Sequence, residues 1–566
     1  MKHAVFKNSN VAVPLGLAFI ATCILSCSLV SCSDTTGNQV YDDANNLTDA
    51  DGFVVTDTGA DTGRDALDPG PDEVTDYDGM NHWDSGLDAG ATDGDDTSSD
   101  TLPDAGGDMV QDGSEDSGDY YSDSDEHRDE RPDGGADQAA DEGQTQLPRG
   151  LQWVRTHPMF ISALTVSMGP PPADFVNDYF DGFAANAVHL WQNGLPTEMN
   201  GWQNAANPAF RWVSWTLPDG TSGDGHELAG GYGADPPGRI GYQVSDEPRD
   251  MDDLYAIEAG CEALRQHDPN ALIIVNFSIG ADQLDQMLDY YGTNMDGDVI
   301  SYDKYGRSNS SYSALQTFRQ AGLSQHRPYW RYMNSYMDSD LEFEHAESDQ
   351  RWDAFSGLVF GYTGMTWFIY QIRGSPDLNP VLFEYNDSFD APKTDQWAVH
   401  AQINTELANL GRAITQLTST DVRYVPTLDW YLPKGLTKWE PGAGGDPYIT
   451  AIEKAPGQLA LEILVGLFTD DFGEIYMMVQ NVRHEHGSFP INRSDPGTIR
   501  ISFDFSTAPE NLDRQHVLSL NKNTGNTELV PLTELSGDGG YLDLTIDAGD
   551  VFFFKYADGV DFALGP

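Results

Sequence analysis

The chain has 566 residues, of which 91 are acidic and 30 are basic, and its formal net charge is −61. This charge argues against nucleic acid and other phosphate-bearing ligands as partners, because those ligands are anions as well. Four cysteines in so long a chain also argue against a disulfide framework. The length is sufficient for two or more domains with large cores.

Residues 1–31 are predicted to be a secretory signal peptide. Lys2 precedes an apolar run over 11–25, and small residues lead to the cysteine in Leu29-Val30-Ser31-Cys32. This ending resembles a bacterial lipobox, which implies that Cys32 is lipidated and holds the chain on a membrane; Ile24-Leu25-Ser26-Cys27 is a weaker candidate. A single transmembrane helix is the alternative, but the apolar run is shorter than the ~20 residues that a span needs. We expect an exported, lipid-anchored protein at the outer membrane or cell surface.

Residues 32–148 are predicted to be a disordered, acidic linker. Between 33 and 148 there are 34 acidic residues and three arginines. A segment so charged and so poor in apolar residues cannot bury enough surface to offset the entropy lost on ordering. We therefore expect a flexible stalk that separates the folded part from the membrane. Its Asp-Gly repeats do not fit the twelve-residue calcium loop, so they do not predict such a site; diffuse cation binding and a structural calcium array are the alternatives.

Residues 149–425 are predicted to form a (β/α)₈ TIM barrel. Short apolar or aromatic runs alternate with longer amphipathic stretches, and strands that alternate with helices indicate parallel pairing. Eight repeats in about 260 residues fit a closed barrel. A doubly wound open sheet is the alternative, but nothing in the sequence resembles its glycine fingerprint. The runs are Phe160–Ser167, Asn186–Trp191, Arg211–Trp215, Arg239–Val244, Ala271–Phe277, Asp298–Asp303, Pro328–Ser335 and Gly364–Tyr370.

Aromatic, amide and acidic side chains come at the carboxyl ends of these runs. In a barrel these ends meet at one face, where the loops build the site. Aromatic rings stack on the C–H faces of sugars, and amides and carboxylates bind hydroxyl groups, so we predict a carbohydrate-binding cleft. The alternative is that the tryptophans only fill the barrel. The predicted substrate-binding residues are Trp191, Trp215, Asp246, Asn276, Tyr305, Asn334, Trp367 and Gln371.

The fourth run ends in the acidic segment Ser245-Asp246-Glu247-Pro248. A strand that stops here would lift a carboxylic acid into the cleft. Burial would raise the pKa of that acid and let it donate a proton to a leaving oxygen. The alternative is a polar turn whose acid caps the following helix.

This combination resembles the clan of (β/α)₈ glycoside hydrolases whose acid/base follows the fourth strand in an Asn-Glu-Pro motif. The segments Ser301–Tyr305, Pro328–Trp330 and Phe360–Phe368 also resemble bacterial barrels related to the beta-galactosidase group. The resemblance covers about residues 155–420. It implies that Glu247 is the general acid/base and that Trp367 is an aromatic platform for the sugar.

The sequence departs from that clan at the seventh strand, where Met333-Asn334-Ser335 replaces a nucleophilic Glu. Glycoside hydrolysis normally uses two carboxylates, and Asp303 at the end of the sixth run is our predicted second one. The other candidates for this role are Asp246, Glu198 and Glu384, and Asp303 could instead pair with Lys304 or Arg307 as a structural acid. An inverting enzyme, with Glu247 as acid and Asp303 as base, fits the missing Glu. A barrel that binds glycans without cleaving them fits as well.

Residues 426–566 are predicted to form a β-sandwich. Six runs of period two, from Leu459–Phe468 to Val551–Lys555, are separated by Gly, Asp and Asn turns. Its last hairpin resembles those of accessory sandwiches behind glycosidase barrels. We expect it to pack against the barrel rather than to bind sugar, since a sandwich alone does not specify function.

Together these features predict a monomeric surface glycoside hydrolase that acts on the O-glycosidic bonds of a poly- or oligosaccharide. No cofactor is predicted, and no His, Asp and Glu spacing is typical of a metal site. A non-catalytic glycan-binding or adhesion lipoprotein on a degenerate barrel is the alternative. A second alternative is a structural surface protein whose acidic stalk is the working part.

Overall fold

The structure is a computed structural model, and it describes residues 147–166, 170–190, 202, 211–215, 238–307, 309–338, 345–372, 378–385, 388–427, 431–458, 461–486, 494–535 and 537–566. The predicted signal peptide, Cys32 and all but the end of the linker lie outside these residues, as do Trp191 and Glu198. Within them, no helix combines the length and the apolar character that a membrane span requires.

Eight parallel strands close into a barrel, which confirms the predicted fold class. The strands are β1 (Phe160–Val166), β2 (Ala187–Leu190), β3 (Arg211–Trp215), β4 (Arg239–Asp246), β5 (Leu272–Ser278), β6 (Val299–Asp303), β7 (Tyr329–Asn334) and, after the short rim strand β8 (Tyr336–Asp338), β9 (Gly364–Ile372). Each strand pairs with its neighbour, and β9 pairs with β1 to close the ring. Each predicted run coincides with one barrel strand. On the rim, β8 pairs in antiparallel fashion with β10 (Leu378–Pro380), which the sequence did not indicate.

Helices surround the barrel, as the amphipathic stretches predicted. They are α1 (Arg149–Thr156), α2 (Ala173–Asn177), α3 (Met251–His267), α4 (Leu284–Thr293), α5 (Asn309–Ser324), α6 (Glu347–Val359) and α7 (Asp395–Ile414). Helix α3 begins directly after the acidic segment, because the side chain of Asp250 accepts the N–H groups of Asp252 (2.9 Å) and Asp253 (3.2 Å). Asp250 therefore caps this helix, and the two acids before Pro248 are left for the cleft.

The barrel interior is apolar at one end and polar at the other. Phe160 and Trp330 stack at 4.4 Å near the amino ends of their strands, in a cluster that also contains Leu272 and Ile274. Hydrogen-bonded polar side chains and tyrosines fill the carboxyl end. This division places the candidate site at the carboxyl-end face, where barrel enzymes carry out their chemistry.

Two sheets form the C-terminal part, and they are antiparallel except where β12 pairs in parallel with β11. One sheet has the order β12-β11-β14-β15-β21-β17-β18 and the other β13-β16-β20-β19. The strands are β11 (Thr418–Val425), β12 (Thr437–Lys438), β13 (Ile449–Lys454), β14 (Ile463–Thr469), β15 (Ile475–Asn481), β16 (Gly497–Asp504), β17 (His516–Leu520), β18 (Thr527–Pro531), β19 (Thr533–Glu534), β20 (Gly539–Ile546) and β21 (Val551–Tyr556). Since β11 pairs with β14, this sheet includes a strand that precedes the predicted boundary at 426.

A buried ion-pair network joins the barrel to the sandwich. Glu406 of α7 binds Arg351 of α6 (2.6 Å) and Lys522 of the sandwich (2.9 Å), and Lys522 also binds Asp550 (2.8 Å). Each charge is paired, as burial requires. The sandwich is therefore fixed against α6 and α7, on the outside of the barrel.

Candidate active site

Glu247 follows the last residue of β4 in a strained backbone conformation. Its φ is +46°, and its N–H donates to the carbonyl oxygen of Asn276 at 2.7 Å. A left-handed conformation costs a non-glycine residue about 1–2 kcal/mol, so it persists only where the surroundings hold it. The register of β4 against β5 also shifts between Gln243 and Ser245. Because of these irregularities Asp246 and Glu247, although adjacent, reach the same group of polar side chains.

Asp246 is held by two amide groups. Its Oδ1 accepts hydrogen bonds from Gln243 Nε2 (3.2 Å) and Asn276 Nδ2 (2.9 Å). The residue is exposed towards the cleft, but protein atoms surround its carboxyl group on the other sides. This burial, and in second place the charge of Glu247, raises the pKa of Asp246 to about 7 against the opposing effect of the amides. Its Oδ2 accepts no hydrogen bond from the described residues.

A buried chain of hydrogen bonds orients the amide of Gln243. Tyr332 of β7 donates its hydroxyl to Gln243 Oε1 at 2.7 Å and lies 3.1 Å from Nδ1 of His189 on β2. Since Oε1 is occupied, the NH₂ group of Gln243 must point to Asp246. Burial lowers the pKa of His189 to about 3, so its ring is neutral. Three barrel strands therefore cooperate to fix one carboxylate.

Glu247 and Asp303 form a hydrogen-bonded carboxyl pair. The pKa of Asp303 is raised well above its usual range, first by burial, then by the charges of Glu247 and Asp246 and by the hydrogen bond itself. Burial raises the pKa of Glu247 too, while the hydrogen bond from Asp303 lowers it. Asp303 Oδ1 is buried and accepts from no donor among the described residues. Two ionised carboxyl groups this close would repel each other, so the contact favours a state in which one of the two carries a proton.

Stability is expected to fall as the pH rises through the range in which Asp246 ionises. Its pKa is about 7 in the folded chain, against 3.8 ordinarily, so the folded state binds this proton more tightly than the unfolded state does. The unfolding free energy therefore decreases from about pH 4 to about pH 7 and is then constant. The neutral, isosteric Asp246→Asn should lack this decrease. Its Tm relative to the wild type should rise between about pH 5 and pH 8, measured by calorimetry.

The control for this comparison is Asp252→Asn, which removes an exposed carboxylate five positions after Glu247, in the first turn of α3. Each variant is compared with the wild type at the same pH, because this comparison cancels the repulsion among the many other acids that all three proteins share. A Tm difference for Asp246→Asn that stays constant over this range would contradict a buried charge at this position.

Three aromatic rings form a wall beside the carboxyl groups. The rings of Tyr305, Tyr336 and Phe368 lie 5.4–5.6 Å apart, centre to centre, and two of the three contacts are edge to face. All three rings are partly buried and pack on a small cluster of Leu164, Tyr332 and Ile369. We call Tyr305, Tyr336 and Phe368 the aromatic wall. Burial, and after it the charge of Asp303, raises the pKa of the Tyr305 hydroxyl, so the apolar surface of the wall lies near Asp303.

The other predicted site residues lie at different distances from this cluster. Asn276 binds Asp246 directly, whereas Asn334 is buried with its Oδ1 accepting the N–H of Tyr336 at 2.9 Å. Gln371 is also buried and donates to the carbonyl oxygen of Ser388 at 2.6 Å. Trp191 lies outside the described residues, and of Trp215 only the backbone, in β3, is described.

Trp367 faces the helix layer rather than the cleft. Its ring N–H donates to Asn404 Oδ1 of α7 at 2.8 Å, and its ring contacts His400. The side chain is fully buried, so a sugar cannot stack on it as the resemblance implied. Phe368, the next residue, takes the position at the cleft because neighbouring residues of a strand point to opposite faces.

Three residues of the site were not singled out in the sequence. Gln243 and Tyr332 hold Asp246, and Phe368 belongs to the aromatic wall. Gln243 could have been found as the one amide in an apolar strand. The two aromatic residues could have been found by following the strand alternation from Gly364 and Tyr329.

Glu384, one of the alternative acids, is exposed in the segment after β10. Arg307, an alternative partner of Asp303, donates to the carbonyl oxygen of Asp349 at 3.3 Å. Among the described residues, no group of three or more His, Cys, Asp or Glu side chains has an arrangement that could hold a metal ion.

No protein-family model matches the chain, and no curated protein matches it in sequence. Solved structures that are similar include one named "Glycoside hydrolase" (12% identity, TM-score 0.45, 74% of this chain and 100% of that chain). A glycoside hydrolase family 5 protein from Bacteroides vulgatus ATCC 8482 is 13% identical, with a TM-score of 0.42 over 72% of this chain and 92% of that chain. A GH30 endoxylanase from Clostridium papyrosolvens C71 is 9% identical, with a TM-score of 0.36 over 71% of this chain and 98% of that chain. Similarity this low does not transfer a reaction to this chain.

Proposed function

We propose that the barrel hydrolyses an O-glycosidic bond of a poly- or oligosaccharide and that Glu247 donates a proton to the leaving oxygen. The observation that carries this proposal is the contact between the carboxyl groups of Glu247 and Asp303 at the carboxyl end of the barrel. A general acid must hold its proton near neutral pH, and burial raises the pKa of both carboxyl groups. The aromatic wall beside the pair suits the apolar face of a sugar.

The contact between the two carboxyl groups changes the role we propose for Asp303. Carboxyl groups lie about 5–5.5 Å apart in retaining and about 6.5–9.5 Å apart in inverting enzymes. A hydrogen bond between the two groups brings them closer than either of these separations. We therefore assign Asp303 to supplying the proton of Glu247, rather than to activating water as the sequence suggested.

The proposal is tested by turnover. The wild type is offered para-nitrophenyl glycosides of the common hexoses and pentoses in both anomeric forms, together with the matching oligosaccharides. We expect hydrolysis of at least one of them, and loss of that hydrolysis in Glu247→Gln. Glu262→Gln, which removes an exposed acid of α3, should behave as the wild type. Turnover that survives in Glu247→Gln would overturn the assignment of the acid.

Glycan binding without cleavage is the second candidate function. It is favoured by Asn334, which holds an amide at the end of the seventh strand and uses it within the protein. A binder would retain affinity for an oligosaccharide and show no turnover on any substrate of the panel. Calorimetric titration of the same oligosaccharides distinguishes the two functions.

We also propose that the chain is exported, that Cys32 anchors it to a membrane and that it acts as a monomer. The support is the sequence of the leader and the acidic stalk that follows it. Cys32→Ser is expected to move the protein from the membrane fraction to the soluble fraction of the cells that produce it. A variant that stays with the membranes after a salt wash would contradict lipid anchoring at this residue.

A further inference from the structure

The proposed hydrolysis requires a nucleophile opposite Glu247, and the described cleft places its acids on one side. Asp246 and Glu247 end β4, Asp303 ends β6, and Asn276 between them lies on β5. These are three consecutive strands of the ring. Asp303 is bonded to Glu247 and Asp246 to Asn276, so none of these carboxylates lies across a sugar from the acid. The seventh strand ends in the buried amide of Asn334.

We propose that the sugar bound beside Glu247 carries an N-acetyl group at C2, and that the oxygen of this group attacks the anomeric carbon. The inference rests on the proposed hydrolysis and names its substrate class, 2-acetamido sugars. Substrate assistance of this kind is an established departure from the two-carboxylate scheme. It supplies the nucleophile from the substrate itself.

Asp246 is suited to bind the N–H of such a group. Its Oδ1 is occupied by Gln243 and Asn276, and its Oδ2 accepts nothing from the described residues. An ionised carboxylate is an acceptor only, so it selects a donor at C2. The amide N–H is such a donor, and the negative charge of Asp246 stabilises the positive charge that the amide acquires as its oxygen attacks.

The aromatic wall is suited to the methyl group of the same substituent. Tyr305, Tyr336 and Phe368 present partly buried ring surface next to Asp303, in contact with one another at 5.4–5.6 Å. A hydroxyl group at C2 would gain nothing from this surface, whereas burial of a methyl group there is favourable. Acceptor and apolar surface together match the two ends of an acetamido group.

The reaction balances with water as the only co-reactant. The carbonyl oxygen of the acetamido group forms a bond to C1 as the bond from C1 to the leaving oxygen breaks, and that oxygen takes the proton of Glu247. The product is an oxazolinium ion whose N–H is held by Asp246. Water then attacks C1, its proton passes to Glu247, and the ring opens to return the acetamido group. The bond that was broken is replaced by one to the water oxygen, and because each of the two displacements inverts C1, the configuration at C1 is retained overall.

The test compares pairs of para-nitrophenyl glycosides that differ only at C2, bearing either an acetamido or a hydroxyl group, in the gluco and galacto series. The full chain should turn over one acetamido glycoside at least about 10²-fold faster than its hydroxyl counterpart, because an internal nucleophile has a high effective concentration. Replacing acetyl by trifluoroacetyl weakens that nucleophile and should lower kcat by about 10²-fold or more. The thiazoline analogue of the cyclic intermediate should inhibit competitively.

The Asp246→Asn variant should lose most of the rate on the acetamido substrate, and the exposed Asp252→Asn should lose none. Equal or faster turnover of the hydroxyl glycosides, or a trifluoroacetyl substrate as fast as the acetyl one, would overturn the inference and leave the hydrolase proposal standing. Absence of turnover throughout both series and the wider panel would overturn both. The two failures are therefore distinguishable.

Discussion

Replacing Glu247 by glutamine is expected to lower kcat/KM by about 10²–10⁴-fold on glycosides whose leaving group is another sugar. A sugar alkoxide is a poor leaving group, so it must receive a proton as the bond breaks. Glutamine preserves the shape of the side chain but has no acidic proton. Asp303 cannot substitute for it, because the hydrogen bond holds its proton against residue 247 rather than against the substrate.

The loss in Glu247→Gln should depend on the leaving group. Dinitrophenolate leaves without a proton, so dinitrophenyl glycosides of the same sugar should lose about tenfold at most, on the reasoning that acid catalysis contributes only where protonation is needed. Measuring kcat/KM over a series of aryl glycosides gives this dependence directly. Equal losses across the series would mean that Glu247 holds the substrate or the fold and does not act as the acid. The exposed Glu262→Gln serves as the control.

The barrel could be predicted from the sequence because its signals are local. Each barrel strand is a largely apolar run of four to nine residues, and the helices between the strands have their own polar faces and start signals. The acidic segment after β4 was also visible, since two acids before a proline interrupt an apolar strand. Seven of the described strands were not predicted, because short or edge strands and a strand shared across a domain boundary are fixed by tertiary pairing: β8, β10, β11, β12, β13, β18 and β19.

The arrangement of the site could be predicted only in part, because it depends on contacts between distant strands. Asp303 was a candidate from its strand end, but its hydrogen bond to Glu247 is set by the curvature of the barrel. Trp367 was placed in the cleft because it is a large aromatic residue near a strand end. The alternation of β9 turns it to α7 and turns Phe368 inward. The sequence analysis identified the residue types of the site but not the face of β9 to which each side chain points.

Replacing Asp353 by alanine is expected to cost about 3–5 kcal/mol of unfolding free energy, because it leaves a buried guanidinium group without its partner. Arg331 of β7 and Asp353 of α6 are both at least nine-tenths buried. Arg331 Nη2 donates to Asp353 Oδ1, and Nη1 donates to the backbone oxygen of the same residue at 3.0 Å. Urea denaturation should show a lower midpoint with an unchanged slope.

The comparison for this prediction is an exposed ion pair of the same kind. Arg249 and Asp253 lie 3.7 Å apart with side chains that are 75% and 39% exposed, and Asp253→Ala should change the unfolding free energy by no more than about 1 kcal/mol. Similar losses for the two variants would show that burial does not decide the worth of the Arg331–Asp353 pair.

A double variant separates the charge from the packing. Arg331→Met with Asp353→Leu removes both charges and keeps most of the volume, so it should recover most of the stability lost in Asp353→Ala. Asp353 also accepts the N–H of Asn334 through Oδ2 at 3.1 Å, at the end of the seventh barrel strand. The double variant should therefore be stable but shifted at the rim beside Tyr336. If the double variant is stable but shows no turnover, the Arg331–Asp353 pair is needed to position the cleft, because the fold does not require the pair.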